Sequence, residues 1–447
     1  MSKHDVVVVG AGVTGLTAAW RLVRAGRDVV VLEGRGRVGG RLRTDRYGDT
    51  DFEIGGQWVS SDQEAVLSLI HELGLTTFPR YREGRTVYLS CSGDRRCFSG
   101  VRLPLPATTA EAVDRLIADL DRLAAAMDPE RPWELDGAQD LDSVTFQAWL
   151  ERRCDDVEAR DNIALFVAQA MLTKPAYRVS ALQVVHMAAS TGSFTRLTDA
   201  DFVLDRRVVG GLHSVATGLA DRLGDRVRVS SDVSAIQWND EGAVVEAAGE
   251  RFEARQVVLA IPPTLVQRIR FRPTLPAEHR RARQHVSFGR VTKVQPLYKR
   301  PFWRHDGLSG TGFGPYELVH EVYDNTPEGA IHGMLVGFVS DRHADALDRL
   351  DTERARAVVL RSFADYFGEE ALNPIGYVAS DWQHEELTGG AYGTGFDVGG
   401  LTRYRDLLRR PVGPLHFGSS DIAGLGYMHV DGAVRVADSI VNSLLGR

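Results

Sequence analysis

Val6-Val7-Val8-Val9-Gly10-Ala11-Gly12-Val13-Thr14-Gly15 is a run of four valines that ends in three glycines spaced GxGxxG and continues into a helical pattern. Branching at Cβ favours the extended strand. Gly10 permits a tight turn, Gly12 lets the backbone approach a diphosphate, and Gly15 lets the following helix pack close on its strand. A diphosphate would then lie on the helix N-terminus, where free N–H groups and the helix dipole favour an anion. The spacing gains its meaning from context. Asp28-Val29-Val30-Val31-Leu32 reads as a second strand and ends at Glu33, an acid roughly twenty residues on that can accept from both ribose hydroxyls. The stretch predicts a βαβ dinucleotide-binding unit in an α/β fold.

Bulk properties bound the rest. At 447 residues the chain exceeds the size at which single cores stop growing, so about two or three domains are expected. A formal charge of −7 without long like-charge runs argues against nucleic acid or an anionic membrane surface as partner. Cys91, Cys97 and Cys154 are an odd set without CxxC spacing, which supports neither a disulfide framework nor a metal site. No basic-then-apolar leader and no run of about eighteen apolar residues is present. The expectation is a cytoplasmic protein that neither crosses nor coats a membrane.

Beyond the first unit, apolar residues at three-to-four spacing predict a helix from Ala110 to Met127, and helical periodicity resumes over Val144–Leu150 and Asn162–Leu172, so residues 80–200 read as a mainly helical lobe. Sheet returns with Val227–Ser230, Val244–Ala247 and Gln256–Ala260. Alternating strands follow over 290–340, then Leu415–Phe417 and a final helix from Asp431 to Leu445. Strand-rich pieces scattered between helical ones imply a discontinuous nucleotide domain with substrate chemistry at a domain interface.

Four further motifs combine with the first: Arg37-Val38-Gly39-Gly40-Arg41, Gly55-Gly56-Gln57-Trp58, Val257-Val258-Leu259-Ala260-Ile261-Pro262-Pro263, and Phe417-Gly418-Ser419-Ser420-Asp421. Together they resemble the flavin-containing monoamine oxidase family over nearly the whole chain. A nicotinamide enzyme would not need the second glycine pair with its arginine, whereas an extended FAD takes contacts from both chain ends. The resemblance implies a Rossmann-like FAD-binding domain of residues 1–80, 205–288 and 381–447, and a substrate-binding domain of mixed sheet and helices over 81–204 and 289–380. It also implies a homodimer.

By that resemblance Gly10, Gly12 and Gly15 form the diphosphate turn, Glu33 holds the ribose, Arg41 the diphosphate region, and Val233 the adenine. Gly56, Gln57 and Trp58 lie at the flavin, Asp421 faces the ribityl diphosphate, Val430 also contacts the cofactor, and the last helix aims its N-terminus, near Asp431-Gly432-Ala433, at the flavin ring. Lys293, in Gly289-Arg290-Val291-Thr292-Lys293, would hold a water near the flavin and assist its reaction with dioxygen. In Thr388-Gly389-Gly390-Ala391-Tyr392, Ala391 stands where some members carry a cysteine thioether to the flavin, so FAD is expected to be noncovalent. Tyr392 would form one wall of the aromatic cage around the amine. Counting back from Asp431-Gly432-Ala433 puts His429 at the second wall, where monoamine oxidases have a tyrosine, with Tyr427 as the substitute if the loop is shifted.

Glu321, in Leu318-Val319-His320-Glu321-Val322-Tyr323, occupies a position where monoamine oxidases have a neutral side chain and most resembles the family's diamine-oxidising bacterial members. A buried carboxylate answers the distal ammonium of an α,ω-diamine. The resemblance thus implies conversion of putrescine to 4-aminobutanal, ammonia and hydrogen peroxide, with dioxygen as acceptor. A polyamine, alkaloid or monoamine oxidase remains the alternative because His429 alters the cage; a flavoprotein without turnover is the other.

Overall fold

The computed structural model describes residues 2–48 and 50–446. β1 (Ser2–Val9) runs into the glycine turn, α1 (Val13–Arg24) returns across the sheet, and β2 (Val29–Leu32) pairs parallel to β1 with Val6 opposite Val29 and Val9 opposite Leu32. Val6 and Val8 pack under α1, while Val7 and Val9 face a second core on the other side. A strand buried on both faces has no polar face to show, which is why these runs do not alternate. β3 (Glu250–Leu259) lies parallel on the far side of β1. Its first half takes the antiparallel strand Gly242–Ala247 and its second half the parallel strand Leu415–Phe417. The first sheet therefore draws on both ends and the middle of the chain. α2 (Val430–Leu445) packs against α1, beginning one residue ahead of the expected Asp431.

The second sheet has seven strands. Its centre is β4 (Val291–Tyr298), β5 (Leu308–Phe313), β6 (Glu321–Asp324) and β7 (Gly333–Ser340), in the order Gly376–Ala379, β4, β7, β6, β5, Arg85–Leu89, Arg95–Phe98. The last two strands correct the sequence reading, in which residues 80–200 were mainly helical. Thr86-Val87-Tyr88-Leu89 and Arg95–Phe98 form a hairpin around Ser92-Gly93 that adds to the sheet edge. Within residues 80–200 the first helix is Ala107–Ala126. The expected Asn162–Leu172 helix is a helix over Val157–Ala164 followed by a π-helical turn, Leu165–Gln169. Wider turns of this kind interrupt helices where a side chain must be aimed, and this one delivers Phe166 to the central cavity.

Gly15 carries the close approach that the fold requires: a Cβ there would lie 2.0 Å from the carbonyl oxygen of Gly10 and 3.1 Å from Cβ of Ala260. Gly15→Ala should cost on the order of 1–3 kcal/mol by overpacking against backbone that cannot yield, read as a fall of several degrees in the calorimetric midpoint. An unchanged midpoint would show that α1 can ride outward from β1.

Candidate active site

One cavity of about 630 Å³ runs between the two sheets, from Glu33, Asp232 and Val233 at one end to Glu321, Tyr323 and Phe313 at the other. That is within the range of about 300–1,000 Å³ that ligand sites occupy. At the first end Gly10, with φ of +99°, turns the chain where a side chain would be strained. Gly12 lines the cavity, and a Cβ there would meet no protein atom within 4 Å. Gly15 does not line it; its part is the packing described above. Glu33 accepts from Ala11 N at 2.8 Å and Arg35 N at 2.9 Å, bracing the glycine turn against the end of β2. α1 and α2 both begin at the cavity, at Gly12 and His429, without a side-chain cap. Their first-turn amides are thus available to an anion. Val430 and Ala433 line the wall that α2 contributes.

Arg41 lines the middle of the cavity, and Asp421 corrects the sequence reading. The Asp421 carboxylate lies outside the cavity wall, fully buried, and accepts from Arg41 at 2.6 and 2.9 Å, from Thr394 N at 2.5 Å, and from Ser419. Although burial opposes ionisation, Arg41 and these donors hold its pKa below the usual carboxylate value. The Asp421 carboxylate thus fixes the Arg41 guanidinium; Arg41 also donates to the Tyr392 carbonyl at 2.8 Å.

The far end is set by strand register. Lys293 on β4 pairs with Phe338 on β7, Phe338 with Glu321 on β6, Glu321 with Phe313 on β5, and Phe313 with Tyr88. Directly paired residues project from the same face, so one row crosses five strands with Lys293 and Glu321 two strands, about 10 Å, apart. Tyr323, two residues beyond Glu321 on the same face, donates its hydroxyl to Glu321 Oε2 at 2.6 Å. Tyr392 stands edge-on to Phe338 with ring centres 5.9 Å apart, and Trp58 lies 5.7 Å from the Tyr323 ring.

Lys293 is buried, and its Nζ donates to the carbonyls of Glu53 at 2.6 Å and Gly55 at 2.9 Å and to Gln57 Oε1. Burial pushes its pKa down to about 7, partly countered by the Glu53 carboxylate. The three acceptors match the three N–H bonds of an ammonium. A water held here, as the sequence reading expects, must displace one of them, and of the three only the Gln57 amide is a side chain, itself tied onward to Asn325. Glu321 is buried too; burial pushes its pKa up to about 7, with the Tyr323 hydroxyl pulling the other way. The carboxyl thus titrates close to neutrality.

His429 lines the cavity and Tyr427 does not. Tyr427 is buried in the helical core, its ring 4.5 Å from His186, accepting from Gln183 and donating to the Thr394 carbonyl. His429 Nδ1 lies 2.8 Å from the Tyr427 carbonyl. A carbonyl only accepts, so Nδ1 carries the proton and Nε2 keeps its lone pair. Burial holds the imidazole pKa below its usual value.

Sequence reading missed Tyr323, Phe338, Phe313 and Phe166. Tyr323 was within reach, since two-residue periodicity from Glu321 puts both on one face. Phe338 and Phe313 join through pairing of strands distant in sequence, which no local pattern carries.

Comparison with known proteins places these features. Residues 13–441 match the family described as flavin containing amine oxidoreductase. A putrescine oxidase from Kocuria rosea is 48% identical, the match covering 99% of this chain and 95% of that protein. A structure of wild-type putrescine oxidase bound to putrescine superposes with a TM-score of 0.98 at 52% identity, covering 100% of this chain and 99% of that one. Cyclohexylamine oxidase from Brevibacterium oxydans gives 0.95 at 25% identity, covering 99% and 100%.

If Asp421 aims Arg41, Asp421→Asn should weaken FAD retention about tenfold, by analogy with other partners that orient a ligating side chain, measured by titrating apoprotein with FAD and following flavin fluorescence. Wild-type affinity would remove Asp421 from this role.

Proposed function

The chain belongs to the flavin-containing amine oxidoreductase family, and from that premise we propose that its substrate is a primary α,ω-diamine, putrescine, converted with dioxygen and water to 4-aminobutanal, ammonia and hydrogen peroxide. FAD is its cofactor, and the cavity fits one: Gly12, where a Cβ would meet no protein atom within 4 Å, two uncapped helix N-termini, the ribose-side acid Glu33, and a Trp58 Nε1 buried without a hydrogen-bond partner among the described residues. Gly10, Gly12, Arg41, Val233 and Val430 would hold the dinucleotide, with Gly56, Gln57 and Trp58 beside the flavin. Bound FAD supplies a two-electron acceptor that dioxygen regenerates. The remaining work belongs to side chains. Tyr392, Phe338 and His429 shape a largely apolar chamber in which an amine is held as the neutral base. Lys293 is the cation at the oxygen-reacting end.

The observation that carries the substrate is Glu321. It is a buried carboxylate at the opposite end of the cavity from Glu33, and among the described residues its one side-chain hydrogen bond is from Tyr323, with no basic side chain paired to it. A buried acid without a cation is costly; a distal ammonium supplies the missing partner. The likeness to putrescine-bound putrescine oxidase supports the same reading. The cyclohexylamine oxidase neighbour supports a second one, another amine, since this fold also serves an amine without a distal charge. Glu321 favours the first.

Ala391 lines the cavity where a thioether would start, and none of Cys91, Cys97 and Cys154 reaches it, which supports noncovalent FAD. Among the described residues no helix is long and apolar enough to cross a membrane. The unpaired cysteines support a cytoplasmic setting, and the homodimer rests on family likeness.

Glu321→Gln should raise KM for putrescine roughly tenfold to a hundredfold, the worth of a charge-assisted hydrogen bond of about 1.5–3 kcal/mol, while sparing n-butylamine. Equal losses on both amines would remove Glu321 from the substrate site. Acid precipitation should leave the yellow cofactor in the supernatant; colour in the pellet would contradict noncovalent binding.

A further inference from the structure

Glu321 is an awkward residue on which to rest recognition of a cation. A carboxyl this deeply buried tends toward its neutral acid, which offers an ammonium far less than the anion does. The groups around it decide which form is present. Phe338 on β7, Phe313 on β5 and Phe166 from the π-helical turn carry no charge. Tyr392 approaches from the segment before the last sheet strand and stays protonated, its pKa raised well above 10 chiefly by burial. Lys293 lies on the far side of Phe338 and spends its N–H bonds elsewhere. Behind the sheet, His320 turns to Ser340 and Tyr366 donates to the Val319 carbonyl. Among the described residues only Tyr323 donates to the carboxylate itself.

Tyr323 is built for that task. It shares the face and strand of Glu321, its ring is wedged between Trp58 and Phe313, with centres 5.7 and 6.0 Å away, and the buried Arg80 guanidinium lies 5.4 Å above it. Arg80 is tied in turn to Thr311 and Asp201. The hydroxyl is thereby fixed at 2.6 Å from Glu321 Oε2. We infer that Tyr323 is a specificity-determining residue whose hydroxyl holds Glu321 in the carboxylate form that a distal ammonium requires. This rests on the diamine reading above. The phenol contributes nothing to a monoamine, which does not reach for Glu321.

The test measures kcat and KM for putrescine and n-butylamine from about pH 6 to 9.5, with wild-type holoenzyme, Y323F, E321Q and the double variant. The ratio of the two kcat/KM values cancels the amine ionisation common to both substrates. In the wild type this ratio should rise through about pH 7 as Glu321 ionises. Y323F should move that rise upward by about one pH unit, lowering the ratio about fivefold at pH 7 through the KM for putrescine. E321Q should give a low ratio independent of pH, and the double variant should match E321Q, because Tyr323 acts through the carboxylate. Y323L, which also lacks the donor, should reproduce the displaced rise. A Y323F profile in the wild-type position, or equal loss on both amines, overturns the inference; the diamine reading survives if E321Q still abolishes selectivity. An E321Q enzyme that keeps its preference for putrescine overturns both.

Discussion

A lysine removed from water must find an acceptor for each N–H bond or surrender its proton, and Lys293 meets that demand across the boundary between the two sheets. Its own strand belongs to the second sheet, whereas two of its acceptors are the carbonyls of Glu53 and Gly55, in the segment that leads away from the glycine turn. The third, Gln57, donates onward to Asn325, which donates to Gln295, which donates back to the Glu53 carbonyl. The Glu53 side chain meanwhile pairs with Arg207 at 2.7 Å, and Arg207 donates to the Asn325 carbonyl. The ring is closed, so no member can shift alone. A partly satisfied buried network is worse than none, and this requirement holds the cofactor end and the substrate end of the cavity in fixed relation.

The two ends differ in how they are charged. At the dinucleotide end positive potential comes from backbone, through two helix N-termini, and from Arg41, whose own charge is answered by Asp421 outside the wall. At the substrate end one acid faces a chamber lined by Phe338, Phe313, Tyr323 and Tyr392.

What could be read from the sequence was whatever depends on neighbours within a few residues. The turn at Gly10, the acid ending β2, the valine strands and the final helix are local matters of Cβ branching and backbone freedom, and they stand in the structure within a residue or so. Glu321 and Lys293 were found by resemblance, and both line the cavity. The direction in which a side chain points was less legible. Asp421 lies in the expected loop but turns away from the cavity toward Arg41, whereas His429 lines the cavity and its substitute Tyr427 lies in the helical core. The hairpin at 85–98 was lost because its strands become a sheet only on pairing with β5, more than two hundred residues later.

The row from Lys293 through Phe338, Glu321 and Phe313 to Tyr88 takes one side chain from each of five strands whose backbones are fully occupied in pairing. A one-residue slip in any strand would turn its member to the opposite face, so register is under strict constraint while side-chain identity is not. Lineages sharing this sheet can therefore exchange amine preference one residue at a time, altering what a position offers without disturbing where it stands.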